Sequence, residues 1–107
     1  VKNQDVDMVV VIRLDLSAHC VETEIRRQYD IRISRYFKAG ASGDKADLER
    51  EIEILLEALE NFDFKRLRSR HSFLAGSSHD DIRLIRDAGG RARIQHNGNI
   101  IDADHYL

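Results

Sequence analysis

Proline is absent from the 107 residues, and cysteine occurs once, as Cys20. A lone cysteine cannot close an intrachain disulfide, so nothing in the chain asks for an oxidising compartment. Long apolar runs are missing as well. The best, residues 8–12 (MVVVI), meets Arg13 and Asp15, far short of the roughly 20 residues that cross a bilayer. It is also too short and too poorly flanked for a signal peptide, so a cytoplasmic protein without membrane contact is the expectation.

Familiar catalytic spacings are missing too. The segment AGASGD lacks the lysine of a phosphate-binding loop, and Gly89-Gly90 suits a turn better than a dinucleotide fingerprint. There is no HExxH, no paired CxxC, no EF-hand loop and no GxSxG elbow. No cofactor is therefore expected. Internal repeats and low-complexity segments are likewise absent.

What is present describes one folded domain. The length suits a single core, and 42% hydrophobic with 34% charged residues is the balance of a folded chain rather than a disordered one. Residues 1–7 are polar and expected to be loosely held.

The segment 44–62, DKADLEREIEILLEALENF, organises the rest. Leu48, Ile52, Leu55, Leu59 and Phe62 recur at steps of four and three, with Ile54, Leu56 and Ala58 widening the stripe. That spacing predicts an amphipathic helix, with Asp44 as its N-cap. The other periodicities are shorter. Residues 8–16, MVVVIRLDL, alternate as a strand, and apolar residues on both faces at its start predict an interior position.

Residues 17–38 admit two readings. Val21, Ile25, Tyr29, Ile33 and Phe37 step by four as in a helix that Ser17 would cap and Gly40 would close, while Tyr29, Ile31, Ile33 and Phe37 also alternate as in a strand. About twenty residues without a breaker favour the helix. The loop at residues 39–43 then makes an antiparallel helix pair.

Residues 64–76 read as another helix, with Phe64, Leu67, His71 and Leu74 inward and Gly76 at its C-terminal end. Two strands, 81–86 and 91–96, follow around DAGG. Asn97-Gly98 is a strong hairpin signal leading into 99–102, and it places Ile94 opposite Ile101 and Arg93 opposite Asp102. The sum is an α+β domain in two layers: a small antiparallel sheet, made of the N-terminal strand plus a C-terminal three-stranded meander, covered on one face by two or three helices.

Charge is uneven. The net is −2, which argues against a dedicated nucleic-acid binder, yet residues 63–96 hold 8 basic and 4 acidic side chains. Lys65, Arg66, Arg68 and Arg70, with Arg83, Arg86, Arg91 and Arg93 on the strands, are candidates for contacting phosphates or an acidic protein partner. The acidic helix can answer the same cations within the fold.

His19 and Cys20 follow the first strand, where an imidazole beside a thiol is a candidate reactive site; a buried packing cysteine is the plainer alternative. His79, Asp81, Asp102 and His105 have the donor types for a divalent cation, but no standard metal spacing, so solvated loop and tail residues are the plainer reading. The function that this pattern supports is a binding or regulatory module rather than an enzyme. One helical layer leaves the other sheet face open, with Ile85, Ile100 and Val9 or Val11 there, so self-association as a homo-oligomer is expected.

Overall fold

A computed structural model describes residues 10–38, 44–87 and 89–101. The elements run β1 (Val11–Leu14), α1 (Val21–Lys38), α2 (Asp44–Asn61), α3 (Phe64–Arg70), a 3₁₀ turn (Ser72–Ala75), β2 (Ile82–Arg86), β3 (Ala92–His96) and β4 (Asn99–Ile101). All strand pairs are antiparallel and the sheet order is β1-β2-β3-β4. The helices lie on one face, giving the two-layer α+β domain.

Alternation decides which face of the sheet is covered. Ile12, Leu14, Ile82, Leu84, Ala92, Ile94 and Ile101 are buried and join the core with Val21 and Ile25 of α1, Ile54, Leu55 and Ala58 of α2, and Phe62 just past the end of α2. The residues between them, Val11, Arg13, Arg83, Ile85, Arg93, Gln95 and Ile100, therefore point to the opposite face. Ile85 is nonetheless only 2% exposed, against the expectation that it lies open there.

The hairpin has the expected register, with Ile94 opposite Ile101 and Gln95 opposite Ile100. Asn97 (φ 49°) and Gly98 (φ 90°) both take positive φ, which Asn and Gly tolerate and which fits the twist of the flanking strands. Asp102, the expected partner of Arg93, lies outside the described residues, as do Gly40 and His105.

Several expectations are corrected. β1 is an edge strand, not an interior one: among the described residues its sole strand neighbour is β2. Its second apolar side is the open sheet face, where Val11 is 41% exposed. Residues 17–38 are resolved as a helix, but one that starts at Val21, with the Cys20 carbonyl accepting the Glu24 N–H at 3.0 Å. Ser17 does not cap it; its hydroxyl and N–H both donate to Asp15 Oδ1, at 2.7 and 3.1 Å.

The deepest line of α2 is Ile54, Leu55 and Ala58, continued by Phe62 just past its end, while Leu48, Ile52 and Leu59 are only half-buried. A stripe that wide serves two neighbours, since α2 packs on both α1 and the sheet.

The single helix expected over 64–76 breaks in two. His71 leaves helical geometry at φ −130°, ψ 87°, and a 3₁₀ turn follows. Across the four residues of that turn the α and 3₁₀ periods diverge by only about 60°, too little for the apolar spacing to mark the break. Asp63 caps α3, its carboxylate accepting the Arg66 N–H at 3.1 Å.

Candidate functional site

The two loops that cross at one end of the sheet carry the densest set of polar side chains. One, residues 15–20, leaves β1; the other, residues 76–81, enters β2. The Ser78 N–H donates to the Leu16 carbonyl at 3.2 Å. Gly76 (φ 125°) lies against the His19 backbone, and Ser77 holds φ 63°, an uncommon angle for a residue with a β-carbon. Such angles persist where surrounding structure over-determines them.

Behind the first loop lies Glu24, with a side chain 0% exposed. Arg27 donates to both its oxygens, Nε to Oε1 at 2.9 Å and Nη2 to Oε2 at 3.1 Å. Gln28 Nε2 donates to Oε2 at 2.9 Å, and the Asp15 N–H does so at 3.1 Å. Burial alone would raise the carboxyl's pKa, but the bonds from Arg27, Gln28 and Asp15 outweigh it and hold the pKa below its ordinary value. Asp15 is also held low, by the Ser17 hydroxyl and N–H.

Cys20 occupies the N-cap of α1. Its Sγ lies 3.2 Å from the Thr23 hydroxyl, and that bond is the main cause of a lowered thiol pKa. Partial burial opposes it, while the Thr23 N–H, the Arg68 charge and the Glu22 N–H add to it. His19 turns elsewhere, with Nε2 4.0 Å from Glu24 Oε1.

On the second loop, Asp80 Oδ2 lies 2.8 Å from His96 Nε2, and the His96 ring stacks on Phe73 at 4.0 Å between centroids. Ser78 is 8% exposed, and its Oγ accepts the Asp80 N–H at 3.3 Å. Between the loops is a cleft of about 440 Å³ lined by Arg13, Leu14, Asp15, Ser78, His79 and Asp80.

The residues singled out in the sequence are not gathered at one point. Arg91, before β3, and Arg93, on β3, both meet Asp87 at the end of β2, which accepts the Arg91 N–H at 3.0 Å and Arg93 Nε at 3.0 Å. These contacts, the Arg91 N–H first, lower the Asp87 pKa. Arg86 reaches Glu57 of α2 at 3.1 Å, and Arg68 reaches Glu22 of α1 at 3.5 Å. Lys65, Arg66 and Arg70 are exposed on α3, and their side chains carry no ion pair among the described residues.

Of the candidate cation ligands, His79 lines the cleft, whereas Asp81 accepts Arg83 Nε at 3.0 Å. Asp102 and His105 are outside the described residues. Among the described residues no group of three His, Cys, Asp or Glu side chains is placed to hold a metal ion, and no helix is long and apolar enough to cross a membrane.

Glu24, Arg13, Asp15, Ser78 and the Asp80–His96 pair carry no linear motif. Glu24 alone left a signal: a carboxylate between Val21 and Ile25 on the apolar side of α1, with Arg27 and Gln28 three and four residues on.

A protein of Archaeoglobus fulgidus described as uncharacterized is 33% identical over 57 residues, 53% of this chain and 67% of that protein. No solved structure matches the chain. A protein-family model matches residues 10–98, and the chain belongs to that family.

Proposed function

We propose that the protein is a non-enzymatic binding or regulatory module that associates with a second copy of itself through the helix-free face of its sheet. One observation carries this reading. Val11 and Ile100, on the two edge strands, stand 41% and 52% exposed on the face away from the helices. The charges there also suit self-pairing. By strand alternation Arg13, Arg83 and Arg93 share that side with Asp15, Asp81 and Asp87, a balanced set that a two-fold axis can match to itself.

Size sets the strength. Four strands about 4.8 Å apart and about five residues long give a face on the order of 300 Å² in plan. Stable interfaces bury about 800 Å² per partner, so the association is of micromolar rather than nanomolar affinity. Placing aspartate at both exposed positions (V11D with I100D) should leave a folded monomer by circular dichroism and sedimentation. Persistent self-association of that variant would remove this face from consideration.

A second reading rests on α3, where Lys65, Arg66 and Arg70 have no acidic partner among the described residues. These three would bind a polyanion, whether an acidic protein surface or nucleic acid, with affinity that falls steeply as salt rises. Heparin and a short DNA duplex are the probes. Loss of binding in the K65A/R66A/R70A variant supports the reading, and a flat salt response discards it.

A further inference from the structure

We infer that the cleft between the β1–α1 loop and the loop entering β2 is a binding site for a small zwitterion of the α-amino-acid type. Its volume, about 440 Å³, falls within the usual range of small-molecule sites. The free hydrogen-bonding capacity of its walls identifies the ligand chemistry.

Arg13 is in register with Arg83, a like-charge cross-strand neighbour that is unfavourable unless answered. Arg83 is answered by Asp81 at 3.0 Å, whereas Arg13 has no ion pair or hydrogen bond to its side chain among the described residues. Arg13 lines the cleft, and its guanidinium offers up to five N–H donors. Ser78 accepts from the Asp80 N–H, but its own proton is given to no acceptor among the described residues, although the residue is more than nine-tenths buried. A buried donor left unmatched is costly, so a ligand oxygen here would be favoured.

The carboxylates are half used. Both bonds from Ser17 go to Asp15 Oδ1, leaving Oδ2, and His96 meets Asp80 at Oδ2, leaving Oδ1. An anion alone would meet these two carboxylates, and a cation alone would meet the guanidinium. A molecule carrying both charges satisfies both, its carboxylate toward Arg13 and Ser78 and its ammonium toward Asp15 and Asp80. Arg13 and Asp15 are two residues apart on one side of the chain, about 7 Å between Cα atoms. That spacing suits adjacent charges on one small solute.

The probes are L-glutamine, with acetate and methylammonium as single-charge controls, followed by amide chemical shifts of the full chain. Saturable shifts at Arg13, Asp15 and residues 78–80 are expected for L-glutamine, with affinity at least about tenfold above either control. The exposed substitution R13Q should weaken it about tenfold, and S78A should weaken it while the far end of the sheet keeps its shifts. An absence of saturable binding up to about 50 mM would overturn the inference, as would equal affinity for a control or an unchanged affinity in R13Q.

Discussion

A β-carbon on Gly76 would lie 3.2 Å from the carbonyl oxygen of His19. The close approach seats the loop entering β2 on the loop leaving β1, and the φ of 125° is itself unfavourable for any side chain. Gly76→Ala should therefore cost about 1–3 kcal/mol, because the clash is with backbone and strain adds to it. In thermal unfolding that is a fall of roughly 4–8 °C per kcal/mol. By contrast, Gly89→Ala, with its Asp87 side-chain neighbour at 3.4 Å and no positive φ, should unfold near the parent temperature.

Glu24 and Arg27 should respond unequally to truncation. Arg27→Ala leaves a buried carboxylate short of its bidentate partner and should cost about 3 kcal/mol. Glu24→Gln keeps the shape and leaves a half-exposed guanidinium, so about 1.5 kcal/mol is expected. The pH dependence has one sign. The folded protein holds Glu24 ionised more firmly than the unfolded chain does. Its contribution is therefore complete above about pH 4.3 and is lost as pH falls through the lower folded value. Urea titrations between pH 3 and 7 should show a smaller acid loss of stability in Arg27→Ala than in the parent, because without the guanidinium burial lifts the folded carboxyl toward or past its unfolded value.

Cys20 should react at neutral pH without denaturant. The Thr23 hydroxyl, ahead of the Arg68 charge, favours the thiolate against partial burial. A labelling-rate profile should have its midpoint below the ordinary thiol value of about 8.5, and Thr23→Ala should move it upward. A midpoint at or above that of the unfolded chain would show that burial dominates instead.

Salt separates the two proposed modes of binding. Self-association through a face of balanced charge should change by less than about threefold between 50 and 500 mM salt, because attraction and repulsion are screened together. Binding of a polyanion to Lys65, Arg66 and Arg70 should weaken by at least about tenfold over the same range. Sedimentation and fluorescence anisotropy read the two separately.

Much of the fold was legible because it is written in short-range patterns. The Asn97-Gly98 turn fixed the Ile94–Ile101 register, since turn chemistry and strand pairing agree locally. The edge position of β1 was not legible. Val11 looks the same in sequence whether a second layer covers it or solvent does, and only strand order decides. The cleft was hidden for a related reason. Arg13 and Ser78 line one cleft through the antiparallel pairing of β1 with β2, although the whole helical layer lies between them in the chain. The break at His71 escaped because 3₁₀ and α periods coincide over so short a segment.

Sedimentation equilibrium of the full chain from about 10 to 500 μM bears most directly on the open sheet face. The account predicts a weight-average mass that climbs with concentration from 12.3 kDa toward twice that value, and that stays at the monomer in V11D/I100D. A parent protein that remains at 12.3 kDa throughout would contradict it.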